Sequence, residues 1–251
     1  MRQGMDQRYQ RQVIMPDIGE QGQEALLGAK VLVVGTGGLG SSILSYLAAA
    51  GVGHIEFLDE DTVSVSNLNR QILHGNPDIG KKKVESALET LNRLNPTLHY
   101  EAHELRFTRE NGRELIKGMD YVVDASDNFE TKFLVNDLCI EEKIPCTIGG
   151  VVRWDGQLLS VIPGKCACYR CVFTDIPEPG VMKSPSELGI IGVSAGLVGI
   201  LMATEAIKHV LLFPNDDRLI NHMLMVDLRS WNFTKVEVKR NPSCTACSAC
   251  K

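Results

Sequence analysis

The chemistry in this 251-residue chain is concentrated in two sets of side chains. The first is thiol. Cys168-Tyr-Arg-Cys171 and Cys244-Thr-Ala-Cys247 repeat C-x-x-C, the spacing with which four thiolates close a tetrahedral zinc site. With four protein ligands there is no open position for a substrate, so the expected role is structural: zinc clips the end of the chain onto its second half. Cys166 and Cys250 leave other pairings open, Cys247-Ser-Ala-Cys250 among them, and a redox dithiol is the competing chemistry. The second set is ionic. Asn67, Arg70, Gln71, Lys83 and Asp127 supply guanidinium and ammonium groups for phosphates and a carboxylate for Mg2+, the equipment of a nucleoside triphosphate site. Singly, Lys83 reads as solvated and Asp127 as a helix cap; shared placement gives them meaning.

That placement comes from the elements around them. Val31-Leu-Val-Val34 is a continuous apolar run entering Gly35-Thr-Gly-Gly-Leu-Gly40, a buried parallel strand followed by a G-x-G-x-x-G turn. Gly35 permits the turn, Gly37 and its neighbour Gly38 bring backbone close to a phosphate, and Gly40 allows close packing. A small-residue helix follows to Ala50, its N-terminus aimed at the anion. A second strand runs to Leu58 and delivers Asp59 at the offset of a ribose-binding carboxylate. The polar segment from Asp59 through Asp61 to Gln71 then lies at the carboxyl edge of the sheet. Gly80 leads into a helix with Lys81, Lys82 and Lys83 at its start and Val84, Leu88, Leu91 and Leu94 on its apolar face. Strands are expected near Leu98–Ala102, at Tyr121–Asp124 and near Pro145–Gly149, with helices at Arg109–Ile116 and from Phe129, the latter capped by Asp127 or Asn128. Beyond Gly150, Trp154-Asp-Gly156 reads as a hairpin turn. A Pro-rich loop (Phe173 to Ser186), a glycine-spaced helix in Leu188–Thr204 and strands around Leu224 and Val236 complete the chain.

The fold class expected is α/β, a Rossmann-like half with a mostly parallel sheet continuing into an antiparallel, zinc-clipped second half. It forms one domain: an N-terminal arm over about residues 1–25, a nucleotide half over 26–150 and a second half over 151–251. A net charge of −5 and a pI near 5.7 argue against a non-specific nucleic-acid binder. The apolar stretch from Leu188 to Thr204 runs into Glu205 and Lys208 and reads as a buried helix, not a membrane span. Eight cysteines behind a polar opening segment point to a cytoplasmic protein with metal or thiol chemistry. No G-x-x-x-x-G-K-[ST] loop is present, which excludes a P-loop enzyme.

Arg8-Tyr-Gln-Arg-Gln12, the glycine turn, Asp59 through Asp61, Ser66-Asn-Leu-Asn-Arg-Gln71, Lys83-Val-Glu-Ser86, Asp124-Ala-Ser-Asp-Asn128 and both C-x-x-C pairs together resemble the MoeB/ThiF/HesA family, bacterial relatives of the ubiquitin-activating enzymes. The resemblance covers nearly the whole chain. It implies an adenylyltransferase that uses ATP and Mg2+ to activate the C-terminal glycine of a ubiquitin-like sulfur-carrier protein, for thiamin or molybdopterin biosynthesis. It further implies that Asp59 holds the ribose, that Arg70 and Lys83 bind the polyphosphate with Asn67 and Gln71 orienting it, and that Asp127 positions Mg2+. Arg11 matches an arginine that such proteins supply across a homodimer.

The chain departs from several relatives in having no cysteine between Val172 and Val193, so adenylation without a covalent carrier–enzyme intermediate from that loop is expected. Cys139 and Cys146 read as core. The chain ends just after the cysteine pair, which implies a separate sulfur donor. The Pro-rich loop is the expected cover for the carrier's tail, with Gly149, Gly150 and Arg153 along its path. Competing readings are an NAD-dependent oxidoreductase, which leaves the Asn67/Arg70/Lys83/Asp127 set unexplained, a nucleotide-binding scaffold, and adenylation of a peptide or tRNA acceptor.

Overall fold

The computed structural model describes residues 7–176, 185–214 and 217–248. The buried apolar runs form strands β1 (Lys30–Val34), β2 (His54–Leu58), β3 (His99–His103), β4 (Tyr121–Asp124) and β5 (Cys146–Val152), which pair in parallel in the order β3-β2-β1-β4-β5. The sheet then turns antiparallel through β6 (Asp155–Val161), β7 (His222–Asp227) and β8 (Asn232–Glu237), giving eight strands in one sheet. The change from parallel to antiparallel beyond β5 is the expected architecture.

Helices cover both faces. They are α1 (Gln10–Val13), α2 (Gly19–Gly28), α3 (Gly38–Ala50), α4 (Lys83–Leu94), α5 (Arg109–Ile116), α6 (Phe129–Glu142), α7 (Tyr169–Val172), α8 (Pro185–Leu188) and α9 (Gly192–Val210). Strand alternation sends Val31, Val33, Ile55, Phe57, Tyr121 and Val123 to a core shared with α2, α3, α4 and α9. It sends Leu32, Val34, Val122, Cys146 and Ile148 to a second core with α5, α6 and α7. Cys139 and Cys146 are fully buried there, as expected of core thiols.

Helix α9 is long and apolar enough to cross a membrane by composition, but it packs on α3 and on β4–β6 as a core helix. A Cβ at Gly199 would lie 2.1 Å from Ser42 Oγ of α3, so the glycine spacing brings two helices together. This contact joins the second half to the first.

Local boundaries differ from the sequence expectation in three places. Helix α4 starts at Lys83, not at Gly80, and its apolar face uses Ala87 while Leu94 stays exposed. Helix α9 starts at Gly192, not Leu188. The β5–β6 hairpin pairs Val152 with Asp155, so its turn is Arg153-Trp154, with Arg153 at φ 53°. As one of the two expected alternatives, Asn128 caps α6, its Oδ1 accepting from Thr131 N at 2.9 Å, which leaves Asp127 free of that role. Residues 1–6 of the arm, part of the Pro-rich loop and Cys250 lie outside the described residues.

Candidate active site

The chain order β1, β2, β3 runs outward on one side of β1, and β4 starts again on the other side. The gap at the carboxyl ends of β1 and β4 is therefore the topological switch point, where ligands bind in open α/β sheets. The glycine turn and residues Ala125–Asn128 meet there. Gly35 sits at φ 98° with Ala125 O 3.1 Å from where a Cβ would stand, and a Cβ on Gly40 would lie 2.1 Å from Gly35 O. No larger residue fits this cradle. Helix α3 begins at Gly38 with Gly37 at its N-cap and without a side-chain cap, so its first N–H groups remain available to an anion.

Around the cradle the ionic residues form a connected frame. Asp59 Oδ2 accepts from Thr36 N at 2.9 Å and Thr36 Oγ1 at 3.1 Å, and Asp59 Oδ1 accepts from Asp61 N at 3.0 Å. This ties the end of β2 to the glycine turn. Lys83 Nζ, buried at the first turn of α4, lies 2.6 Å from Asp61 Oδ2 and 3.8 Å from Asp59 Oδ1. Arg70 Nη1 donates to Ser66 O at 2.9 Å and Asn69 Oδ1 at 3.1 Å, which holds its guanidinium over the cleft. Gln71 is buried beside Gly37, and its Oε1 has no hydrogen-bond partner. An orphaned buried acceptor next to the cradle fits a site completed by a ligand or water. Asp127 is exposed at the mouth of the cleft.

These side chains line one end of a single cleft of ≈ 1410 Å³. Beyond them it continues past Gly149–Val152 of β5 and over β6, β7 and β8, where Leu158, Met223, Met225, Asp227 and Thr234 border it. Gly149 and Gly150 thus line the cleft, whereas Arg153 does not. Of the expected phosphate set, the structure brings together Gly35, Gly37, Gly38, Asp59, Asp61, Arg70, Gln71, Lys83 and Asp127. Gly40 supports the turn from behind. Asn67 is not brought in: its Oδ1 accepts from Ser64 N at 3.0 Å, bracing a turn, and Asn69 lines the cleft instead. Arg11 is exposed on α1 and does not line the cleft of its own chain.

Sequence reasoning missed two supports. Lys132, buried on α6, donates to Asp124 Oδ2 at 3.0 Å, Ser126 O at 2.6 Å and Gly149 O at 2.6 Å. It fixes the loop carrying Asp127 against β5. His74 is buried with Nδ1 2.9 Å from Ser86 Oγ and Nε2 3.3 Å from Thr36 O. Burial pushes its basicity down, so it acts as a neutral strut between α4 and the glycine turn.

The four cysteines of the paired motifs converge at the far side of the second core. Their sulfurs lie within 4.8 Å of one another, with Cys168–Cys171 at 3.9 Å, Cys168–Cys244 at 3.6 Å and Cys171–Cys247 at 3.5 Å. A tetrahedron with metal–sulfur bonds of about 2.3 Å has edges of about 3.8 Å, so the donor set fits zinc. Burial and the neighbouring sulfurs push the Cys168 thiol up, and burial takes Cys247 to about 11. Cys166 stands apart, its Sγ accepting from Ile162 N at 2.9 Å.

Residues 9–246 match the family described as the ThiF family. The chain belongs to that family. It is 43% identical over 245 residues to the sulfur carrier protein adenylyltransferase of Thermus thermophilus, covering 96% of this chain and 90% of the relative. It is 42% identical over 240 residues to the SAMP-activating enzyme E1 of Haloferax volcanii, covering 96% and 88%. Its fold superimposes on the crystal structure of E. coli MccB with ATP at a TM-score of 0.84 and 23% identity, over 97% of this chain and 75% of that one. For this ThiF family chain, the fold and the ordered motifs agree.

Proposed function

We propose that this chain activates the C-terminal carboxylate of a ubiquitin-like sulfur-carrier protein by adenylation with ATP. The observation that carries this is the single cleft: a glycine cradle with Asp59, Arg70, Lys83 and Asp127 occupies one end, and an open channel over β5–β8 leads away from it. The nucleotide takes the cradle end and the carrier's extended tail the channel, bounded by Gly149 and Gly150. The relatives' names support the acceptor class.

The chemistry is displacement at the α-phosphorus. The tail carboxylate oxygen bonds to it while the bond to the pyrophosphate oxygen breaks, giving an acyl adenylate and pyrophosphate. Both reactants are anionic, so the obstacle is charge repulsion, and no general base is required because the carboxylate is ionised at neutral pH. Asp59 accepts from the ribose hydroxyls. Arg70 and Lys83 stand where the polyphosphate charge develops, fixed in advance by Ser66, Asn69 and Asp61. Asp127 would hold Mg2+, which supplies further charge neutralisation when bound. The chain's contribution is mainly positioning.

Three further parts belong to this reading. Cys168, Cys171, Cys244 and Cys247 hold a structural zinc. The chain works as a homodimer in which Arg11 serves the partner's cleft, consistent with its absence from its own. Sulfur then comes from a separate donor. ATP–pyrophosphate exchange with candidate carriers ending in Gly-Gly, each compared with its tail-deleted form, tests the proposal. Exchange that depends on one intact tail supports it. ATP binding without exchange for any carrier overturns it in favour of another acceptor.

A further inference from the structure

Outside the cleft, three imidazoles and two carboxylates share the open face of the β2–β3 edge. Strand register sets His54 opposite His99, Glu56 opposite Glu101 and Leu58 opposite His103. Alternation puts all of these on one face, because Ile55 and Phe57 point the other way into the core under α3 and α4. The His54 and His99 rings lie 4.5 Å apart. Their Nε2 atoms converge on the carboxylates: His99 Nε2 is 2.9 Å from Glu101 Oε1, and His54 Nε2 is 3.7 Å from the same oxygen and 3.0 Å from Glu56 Oε1. The second oxygen of Glu56 is 3.2 Å from His103 Nε2.

From this geometry we infer that His54, His99 and Glu101 form a binding site for a borderline divalent transition-metal ion such as Zn2+ or Ni2+, with Glu56 beside it and oriented by His103. Two carboxylates directly opposite in register repel one another, and Glu56 is buried, so the face calls for positive charge. Imidazole and carboxylate are the donors such ions take. A four-coordinate ion with bonds of about 2.0–2.2 Å needs donors about 3.3–3.5 Å apart, and the donor atoms of His54, His99 and Glu101 already lie within 4.8 Å of one another. His99 and Glu101 reach solvent, which gives an entry path. Ligation takes a lone pair on each Nε2, so the form that binds is the neutral imidazole with its proton on Nδ1. The site is chemically distinct from the four thiols, and it does not depend on the proposed adenylation.

The test is calorimetric titration of the full chain, its thiol set preloaded with zinc, using Ni2+ as the probe. One equivalent is expected to bind, and His99→Ala or Glu101→Gln to weaken it at least about 10²-fold, since even the partners of ligands are worth 10–100-fold. His222→Ala, on β7, leaves it unchanged. In the unmutated protein, paramagnetic Ni2+ should broaden the His54 and His99 ring resonances before that of His222. No second class of binding, equal affinity in the His99 and Glu101 variants, or first broadening at another histidine each overturns the inference.

Discussion

Replacing Lys83 by Met separates catalysis from folding in this site. The ammonium lies 3.8 Å from Asp59 Oδ1, and at an effective dielectric of about 20 a unit charge at that range is worth about 4 kcal/mol. A phosphate oxygen held at similar range feels an attraction of the same order. Loss of a preorganised charge stabiliser of this kind costs about 10²–10³ in rate. Folding should change by much less than that gross attraction, because the lysine stands beyond hydrogen-bond range of Asp59, which other donors hold. The shorter contact, to Asp61 at 2.6 Å, involves a carboxylate whose side chain is 63% exposed, so that pair contributes about 1 kcal/mol or less. Asp59 keeps its three donors from Thr36 and Asp61. A melting temperature within about 4 °C of the unmutated chain is therefore expected. The assay is carrier-dependent ATP–pyrophosphate exchange alongside thermal unfolding, with Lys83→Arg as a variant that keeps the charge. Exchange within threefold of normal in Lys83→Met would show that the lysine only braces the Asp59–Asp61 turn. A collapse of melting temperature with activity would show the same.

Gly40→Ala places a methyl 2.1 Å from Gly35 O, so ATP affinity measured by calorimetry should fall by more than about tenfold while zinc content stays unchanged. For the proposed zinc site, Cys244→Ser or prolonged chelation should lower the zinc content read by elemental analysis and lower the unfolding midpoint, because metal binding at such sites is folding free energy. His209 is pushed down to about 4 by burial and by Arg218. An unfolded histidine takes its proton near 6.5, so this group's contribution is full above that pH and is lost as pH falls toward 4. With its partial exposure the loss amounts to about 1–2 kcal/mol. Denaturant midpoints at pH 7 and pH 4.5 should differ less in His209→Gln than in the unmutated chain.

Motifs whose meaning is local were legible in the sequence. The apolar run into Gly35–Gly40 gave β1, the turn and α3 because each residue's role depends on backbone a few positions away. Asp124 through Asn128 likewise gave a strand end and a helix start. The antiparallel second half was readable from its turns, although the hairpin tip falls at Arg153-Trp154, one step earlier than Trp154-Asp-Gly156 suggests, because Arg153 accepts a left-handed backbone. Long-range roles were hidden. Lys132 looks like any helical lysine until β5 brings Gly149 O to its ammonium. Asn67 and Asn69 look interchangeable until the turn engages one amide and leaves the other facing the cleft. The boundary of α9 was displaced because Gly189 and Gly192 look like members of the helical spacing, yet Gly189 has φ 83° and stands outside it.

The converging thiols also bear on what happens to a broken chain. Cys168 and Cys244 are 76 positions apart in sequence, and β7, β8 and α9 all fall between them. With an ion in place, a backbone cut between α9 and β7 leaves two pieces still joined by coordination bonds as well as by β6–β7 pairing. A nicked molecule would then migrate intact under native conditions and fall apart only when denaturant and chelator act together. For this fold, apparent resistance to proteases and actual continuity of the polypeptide are separate properties.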